Sequence, residues 1–520
     1  MIFFNNKLTN LARYIEPIPY TDTSDPVGYL MELSKKNKDV RDGKPKLPPQ
    51  KGVHVGLVVD KEIRGYKLKN YIPRDFWIED TIRPRHMCCF GTTGTGKTKL
   101  MTYLIYQDIL MGNNVAILNP KSDPFGEGRP GNELLSYIVQ ACVQAGRLDE
   151  IIAIMPVFPE CSIELNPLQR YIMPDELIEH VISSVKAKEK YYEDVASEVS
   201  TAIITSMIAQ AEANRKDQVI NLLDIKEKVD YKSLQDLGTA MDYNYRNFPD
   251  PSVREKIEEA LLTIRQIGQS PQDFFAKVSS SLRTVLTTMT SSTTGKLIGR
   301  ARSNEFVKRI ENNEGVIFLC NTDNLLATRA SHIINRIIVS MIKTMAGRAG
   351  SGGTTFSRPL SVYIDEGHNV LFKGIEELFN KGRSARVYIH FFTQSLSQMI
   401  EAIGEPATRS IEDNINTWFF MRINSPETIE YIAKTSPEIE KWTPFVSVGN
   451  GDMGTTLRPD KVSVFRQENL SRLRQTFYYL KCGTIVNGKE QIKYYKGQVP
   501  TIPPPSVRVV PPISKEITGD

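Results

Sequence analysis

The sequence predicts an α/β protein with a mostly parallel central sheet and an inserted all-α domain. Three observations lead to this fold class. Short apolar runs of strand type alternate with helical segments before residue 175 and again after residue 310. A glycine-rich phosphate-binding motif stands between one such strand and the next helix. Between residues 176 and 310 the strand signal stops, and apolar residues recur at helical spacing.

The strand segments are short and almost wholly apolar, as expected for strands that are buried on both faces. They comprise His86–Phe90, Val115–Leu118, Ile151–Met155, Gly315–Cys320, Leu360–Ile364, Val387–Phe392 and Trp418–Ile423. Because helical segments separate them, we expect a parallel sheet with helices on both faces. Ligands bind such sheets at the carboxyl ends of the strands.

The inserted segment repeats apolar residues at positions i and i+4, as in Val195, Val199, Ile203 and Met207. Its length of roughly 110 to 130 residues is that of an ordinary domain. We therefore predict that it forms a helical domain of its own.

Composition restricts the class of protein. The 520 residues carry 65 basic and 60 acidic side chains, a net charge of +5 that permits a nucleic-acid partner without requiring one. The six cysteines form no C-x-x-C pair, which favours reduced thiols in the cytoplasm over a zinc site or disulfides. The most apolar segment, Ile333–Met345, contains Arg336 and Lys343, so we predict a core helix and no membrane span. The amino terminus lacks the apolar region of a signal peptide.

The motif G-x-x-x-x-G-K-[ST] matches residues 91–98, which read GTTGTGKT. Its glycines let the backbone curl so that successive N–H groups face phosphate oxygens. Lys97 supplies a charge for the β- and γ-phosphates, and the Thr98 hydroxyl can ligate Mg²⁺. The following helix offers its positive amino end to the same anion. We therefore predict a nucleoside triphosphate site formed by Gly91, Thr92, Thr93, Gly94, Thr95, Gly96, Lys97 and Thr98.

A triphosphatase also needs one carboxylate for Mg²⁺ and a second to orient or deprotonate the attacking water. The apolar run Leu360–Ile364 ends in two adjacent acids. We assign Asp365 to the metal and Glu366 to the catalytic base. An acidic pair after a strand is common, so this assignment depends on the phosphate-binding motif upstream.

Two further residues are candidates for contacts with the γ-phosphate. Gln394 follows the strand Val387–Phe392, where a polar side chain could detect that phosphate. Arg383 precedes the same strand and could reach the nucleotide of a neighbouring subunit. A turn glutamine and a solvent-facing arginine are the alternatives.

Four motifs together resemble those of type IV secretion coupling proteins, the TraG/TraD-like branch of the FtsK/HerA class of RecA-like motor ATPases. They are F-GTTGTGKT from Phe90, I-DEGHN from Ile364, N-KGRSAR from Asn380 and F-TQSLSQM from Phe392. The segment Glu164–Leu168, which contains Asn-Pro-Leu just before the helical insertion, is also similar to the family pattern. The resemblance spans approximately residues 50 to 500.

The resemblance implies a hexameric ATPase that is stimulated by nucleic acid and uses ATP and Mg²⁺. Such a motor would act at the cytoplasmic face of the inner membrane, at the mouth of a conjugation or secretion channel. Its partners would be DNA, bound non-specifically, a relaxase or relaxosome, and components of the channel. The resemblance also implies that Lys97, Thr98, Asp365 and Glu366 have the roles given above, that Gln394 is a sensor, and that Arg383 is a finger acting in trans.

Combined with the resemblance, the patterns divide the chain into five parts. We predict an N-terminal extension and linker at 1–50, the first part of a RecA-like nucleotide-binding domain at 51–175, the all-α domain at 176–310, the second part of the nucleotide-binding domain at 311–500, and a proline-rich tail at 501–520.

The sequence departs from the family pattern at two places. The N-terminal transmembrane helices of most members are not evident, so membrane contact is expected to be indirect. Asn119 replaces the acid that usually precedes Pro-Lys. Two alternative functions stay open: a HerA/FtsK-like DNA translocase outside secretion, and a nucleotide-dependent receptor or adaptor for secreted proteins.

Overall fold

The structure, a computed structural model, describes residues 15–17, 52–60, 73–121, 124–125, 129–185, 190–214, 219–322, 324–449 and 452–509. The predicted N-terminal extension, 1–50, therefore lies outside the described residues except for Ile15–Pro17, and the predicted tail is described as far as Val509.

The strands of the described chain form one large sheet and two small ones. In chain order they are β1 Ile15–Pro17, β2 Gly52–Asp60, β3 Arg74–Glu79, β4 Met87–Phe90, β5 Asn114–Asn119, β6 Pro124–Phe125, β7 Arg129–Asn132, β8 Ile151–Ile154, β9 Ile317–Asn321, β10 Leu360–Ile364, β11 Val387–Thr393, β12 Thr417–Phe420, β13 Glu438–Gly449, β14 Asp452–Ser463, β15 Phe477–Val486, β16 Lys489–Gln498 and β17 Val507–Val509.

The large sheet has eleven strands within the described residues, in the order β3-β2-β16-β15-β12-β4-β11-β10-β5-β9-β8. The run from β12 to β8 is parallel, and the four strands at the other side are antiparallel. The parallel strands β4, β5, β10 and β11 are buried at every residue, which matches their continuous apolar sequence.

The strand order fixes which loops meet. Strand β4 lies between β11 and β12, and β10 lies between β11 and β5. Because these strands are parallel, their carboxyl ends lie at one edge of the sheet. The segments after β4, β5, β10, β11 and β12 are therefore neighbours in space although they are far apart in sequence.

The α-helices of the described chain are α1 Lys97–Leu110, α2 Glu133–Ala145, α3 Pro174–Ile182, α4 Lys190–Ala213, α5 Leu222–Lys228, α6 Tyr231–Tyr245, α7 Pro251–Gly268, α8 Gln272–Val278, α9 Ser280–Thr290, α10 Ser292–Thr294, α11 Glu305–Glu311, α12 Asn324–Ser351, α13 Glu376–Lys381, α14 Leu396–Ile403, α15 Glu405–Asp413, α16 Pro426–Thr435 and α17 Gln467–Ser471. Helices α3 to α11 lie between β8 and β9, in the segment for which the sequence predicted an all-helical insertion.

Helix α12 is the longest helix of the described chain. One part of it, Leu325–Ser351, is long and apolar enough to cross a membrane by length and composition alone, yet 61% of its most apolar window is buried within the protein. Ile334, Ile338 and Ile342 are almost fully buried in the same hydrophobic cluster as the insertion helices and the sheet. The helix thus joins the insertion to the rest of the core.

Two local features differ from the sequence pattern. Glycines at 347–353 favour a loop, but α12 continues to Ser351. Two helical glycines cost about 1 kcal/mol each relative to alanine. Burial of Ala346 and Ala349 on the packed face of the helix counters that cost. The antiparallel hairpins β13–β14 and β15–β16 had no clear sequence signal, because their residues are mixed in polarity.

Candidate nucleotide site

The phosphate-binding loop lies at the carboxyl edge of the sheet, between β4 and α1. Gly94 and Gly96 have φ of +75° and +105°, which side chains other than glycine rarely adopt. A Cβ on Gly91 would lie 2.8 Å from Thr95 Oγ1 and 2.9 Å from Met421 Cβ. The glycines of the motif are therefore required by backbone conformation and close packing, as its sequence predicted.

The loop is held by the neighbouring strand ends. The Gly91 N–H donates to the Thr393 carbonyl at 3.2 Å, and the Thr92 N–H donates to the Arg422 carbonyl at 2.9 Å. Thr393 ends β11 and Arg422 follows β12, the two strands that flank β4. The curl of the loop is thus set by the sheet and by its own glycines together.

The Lys97 side chain lies inside the loop. Its Nζ donates to the carbonyl oxygens of Gly91, at 2.5 Å, and of Thr92, at 3.1 Å. Burial lowers the pKa of this ammonium. A desolvated cation that is held only by backbone carbonyls is suited to bind an anion such as phosphate.

Asp365, the acid assigned to the metal, lies beside Thr98, as the parallel register requires. Asp365 is fully buried, and its Oδ2 is 3.5 Å from Thr98 Oγ1. The Asp365 N–H donates to the Leu118 carbonyl, which fixes the strand end against β5. A buried carboxylate next to a threonine hydroxyl is a donor set that fits Mg²⁺, a cation that is bound by oxygen ligands.

Glu366 occupies a strained backbone position. Its φ of +46° lies in the left-handed region, which costs a residue with a Cβ about 1 kcal/mol or more. The next residue is glycine because a Cβ on Gly367 would lie 2.3 Å from the Phe391 ring. Asn369 donates to Glu366 Oε2 at 3.3 Å. This bend carries the Glu366 side chain away from the sheet and keeps it oriented.

Lys121 is a component of the site that sequence reasoning missed. Its Nζ lies 3.0 Å from Asp365 Oδ2 and 3.4 Å from Glu366 Oε1. Burial opposes the charge of this ammonium, but the two carboxylates outweigh burial and raise its pKa. The sequence offered one signal, the position of Lys121 two residues after Asn119, at the end of strand β5.

Gln394 also lies at this edge. It directly follows β11, whose last residue Thr393 pairs with Phe90 in β4. The Thr393 hydroxyl lies 3.4 Å from His368 Nδ1, and burial lowers the pKa of that imidazole. Gln394 is therefore a neighbour of the phosphate-binding loop, where a residue that detects the γ-phosphate would lie.

Arg383 lies at the opposite edge of the sheet. It is exposed, and it stands in the turn Gly382–Ala385 before β11. A Cβ on Gly382 would lie 3.8 Å from His86, the residue that precedes β4. The seven residues of β11 span about 23 Å at 3.3 Å per residue. Arg383 is therefore too far from the phosphate-binding loop of its own chain to contact a nucleotide there.

A cavity of about 440 Å³ adjoins the start of α1, and Lys97, Thr98 and Lys121 contribute to its wall. Its far wall is formed by Thr476, before β15, and by the residues from Gln498 to Ile502. The Thr476 N–H donates to the Thr95 carbonyl at 2.8 Å. The cavity has room next to the phosphate site for a nucleoside, and no sequence motif marked this second wall.

Known proteins resemble this chain in sequence and in fold. A family model described as the TraM recognition site of TraD and TraG matches residues 359–458, which include β10, β11, Asp365 and Glu366. No curated protein matches the sequence.

Solved structures share the fold at low sequence identity. The bacterial conjugative coupling protein TrwBΔN70, in an unbound form, is 16% identical with a TM-score of 0.58, covering 92% of this chain and 92% of that chain. The plasmid coupling protein TrwB in complex with ADP and Mg²⁺ is 16% identical with a TM-score of 0.57, covering 83% and 89%. TrwB in complex with the GTP analogue GDPNP is 14% identical with a TM-score of 0.56, covering 88% and 97%.

These comparisons confirm the predicted fold class and the resemblance to type IV coupling proteins. The match to the family model rests on the sequence, whereas the match to the solved structures rests on the arrangement of helices and strands.

Proposed function

We propose that this chain is a motor of the type IV coupling-protein kind, which hydrolyses ATP to recruit DNA or a DNA–relaxase complex and drive it into a conjugation or secretion channel. The single observation that carries the proposal is the contact network around Asp365. Its carboxylate lies within 3.5 Å of both Thr98 and Lys121, at the edge of the sheet where Glu366, Gln394 and the phosphate-binding loop also lie.

The residues have complementary roles in hydrolysis. The loop N–H groups and Lys97 bind the phosphates, and Thr98 and Asp365 are the residues that would hold Mg²⁺. When bound, Mg²⁺ neutralises charge on the β- and γ-phosphates and supports departure of the leaving oxygen. Glu366 orients and deprotonates the attacking water, and its restrained backbone reduces the reorganisation that this step needs. Gln394 contacts the γ-phosphate.

Lys121 has a separate role in the proposal. One oxygen, Asp365 Oδ2, contacts both Lys121 and Thr98. Mg²⁺ held by Thr98 and Asp365 would compete with Lys121 for this oxygen, so in the absence of nucleotide Lys121 neutralises the two acids. The lysine thereby makes metal binding dependent on nucleotide.

The catalytic unit is larger than one chain in this proposal. Arg383 is exposed, and the length of β11 separates it from the phosphate site of its own chain by about 23 Å. An arginine finger acting in trans must be exposed in just this way, so the position supports a ring in which each Arg383 contacts the nucleotide of the next copy. A homo-hexamer at the cytoplasmic face of the inner membrane, contacting channel components there, is the assembly that we propose.

The test is ATP turnover by the purified, assembled chain with and without DNA. We expect ATP hydrolysis that requires Mg²⁺ and that DNA stimulates at low salt. The stimulation should disappear at high salt, because counterions displace the protein from the DNA phosphates. Turnover that no DNA accelerates would reject the pumping role. Nucleotide binding without any turnover above the Glu366→Gln variant would favour the receptor or adaptor alternative.

A further inference from the structure

A second cavity, of about 810 Å³, lies where the helical insertion meets the sheet domain. Glu193 of α4 lies on the insertion side, and Phe372 and Ile403 lie on the other side. Phe372 belongs to the segment that joins Glu366 to Arg383, so one wall of this cavity is continuous with the proposed catalytic residues. Its volume falls within the range of pockets that bind small molecules or the end of a peptide.

Arg336 of α12 contributes a buried charge to the wall of this cavity. Only 7% of the residue is exposed, and its Nε is buried without a hydrogen-bond partner. No ion pair or hydrogen bond connects this guanidinium to the rest of the described chain. Burial lowers the pKa of Arg336, and no carboxylate of the described residues offsets that effect.

Two other cations on the same helix form ion pairs with carboxylates. Lys343 pairs with Glu179 at 2.6 Å, and Arg348 pairs with Glu176 at 3.0 Å and with Glu311 at 2.6 Å. All three carboxylates come from the insertion helices α3 and α11. The boundary therefore neutralises two of these cations with residues of the chain and leaves Arg336 facing a cavity. A buried cation for which the described residues supply no counter-ion is unfavourable, so this arrangement points to an anion from outside them.

The rest of the wall limits the kind of anion. Three carboxylates, Glu193, Glu376 and Glu377, and a second cation, Lys373, also border the cavity, so that acids outnumber bases in its wall. Glu377 already pairs with Lys381, and Glu376 accepts from the Gly374 N–H. These carboxylates repel a polyanion such as a nucleic-acid backbone, while a single carboxylate can form two parallel hydrogen bonds with a guanidinium. Leu371, Phe372 and Ile403 supply apolar surface beside it.

We propose that this cavity is a ligand site in which Arg336 binds one carboxylate of a ligand that is otherwise apolar or basic, such as the end or an acidic side chain of a partner's peptide segment. The site is distinct from the nucleotide site, and it does not depend on ATP hydrolysis.

The test uses 4-(trifluoromethyl)benzoate as a probe, observed by ¹⁹F NMR with the full chain. We expect saturable binding with a dissociation constant on the order of 1 mM, as for a weak ligand of this size. Arg336→Met should weaken that binding at least tenfold. Arg336→Lys should weaken it less, because the lysine ammonium keeps the charge attraction but cannot form the two parallel hydrogen bonds of a guanidinium. The uncharged probe 4-(trifluoromethyl)benzamide should not bind.

Lys97→Ala is the matched control, because it removes a second buried cation, which lies in the nucleotide site and could bind an anion. Its probe affinity should equal that of the unaltered chain. Loss of binding in Lys97→Ala with retention in Arg336→Met would place the probe in the nucleotide site and overturn the proposal. Tighter binding of phenyl phosphate than of the benzoate, dependent on Arg336, would overturn the assignment to a carboxylate.

Stability without any probe gives an independent measurement. Arg336→Met replaces a buried, unpaired charge with an apolar side chain of similar length, so the unliganded variant should unfold at a higher temperature than the unaltered chain. The benzoate should raise the melting temperature of the unaltered chain and leave that of the variant unchanged. A variant that melts at a lower temperature would mean that Arg336 already has a favourable partner, and the proposal would fail.

Discussion

The two edges of the parallel sheet differ in what a single chain can supply. At the carboxyl edge, the ends of five strands bring a phosphate-binding loop, two acids and a second lysine into contact. At the amino edge, Arg383 is exposed and about 23 Å from that site. The first edge can bind nucleotide by itself, whereas the second has a catalytic use only when another copy lies against it.

The difference follows from the geometry of parallel strands. Every residue that follows a strand lies at the same edge, so neighbouring strands supply a shared site. A residue that precedes a strand lies a full strand length away. The proposed finger and the proposed base are thus separated by the sheet itself, and only assembly can join them.

The largest expected effect tests the amino edge. Arg383→Ala should reduce ATP turnover by roughly 10³-fold, in line with arginine fingers that act in trans. Nucleotide affinity of the isolated chain should not change, because Arg383 is remote from its own site. Turnover under saturating ATP and binding of a fluorescent ATP analogue measure the two quantities. Lys381→Ala is the control and should retain turnover, because Lys381 is an exposed cation at the end of α13 that pairs with Glu377.

The next effect tests the carboxyl edge. Glu366→Gln should reduce turnover by roughly 10²-fold or more while nucleotide still binds, because the amide cannot accept the proton of the attacking water. Lys97→Ala should weaken nucleotide binding itself.

Mixing the two inactive variants compares the edges directly. A ring that contains both Glu366→Gln and Arg383→Ala subunits includes sites with an intact base from one copy and an intact arginine from the next. We expect part of the turnover to return on mixing. If the mixture is as inactive as its components, the separation of the site between copies is wrong.

A smaller effect concerns the metal. Lys121→Met should raise the affinity of the nucleotide-free chain for Mn²⁺, used in place of Mg²⁺, by roughly tenfold, or about 1.4 kcal/mol. The reason is that the lysine no longer competes for Asp365 Oδ2. Electron paramagnetic resonance of free Mn²⁺ measures the affinity. Lys99→Met removes an exposed lysine from the same cavity and should leave it unchanged. Equal affinities in both variants would contradict the role given to Lys121.

The last effect is on stability and is independent of the site. Burial lowers the pKa of His86 to about 4 and of His180 and His390 to about 3. Below pH 6.5 the unfolded chain binds protons that the folded chain does not, so the free energy of unfolding falls as pH falls towards 4. Each histidine contributes a slope of about 1.4 kcal/mol per pH unit. Denaturant titrations from pH 7 to pH 5 should show this decrease in the free energy of unfolding. His180→Gln should reduce the slope of that free energy against pH by the contribution of one histidine.

The parts of the site that the sequence could predict are those with local causes. The glycines of the phosphate-binding loop are dictated by their own φ angles and contacts, and the acids Asp365 and Glu366 directly end a strand. The roles assigned to these residues, to Gln394 and to Arg383 stay predictions until turnover is measured. The contacts of Lys121 and Thr476 were not predictable, because each depends on the order of strands in the sheet.

By itself, the sequence determined the fold class, the phosphate-binding loop and the acidic strand end, because periodicity and backbone conformation are properties of neighbouring residues. Only the tertiary structure decided that Lys121 contacts both acids, that Arg383 lies at the other edge of the sheet, and that Arg336 faces a cavity without a partner among the described residues. These are questions of which distant segments meet. Strand order and helix packing determine which segments meet, and the burial and charge of the side chains follow from that. The residues that Lys121 contacts are more than 200 positions away in the sequence.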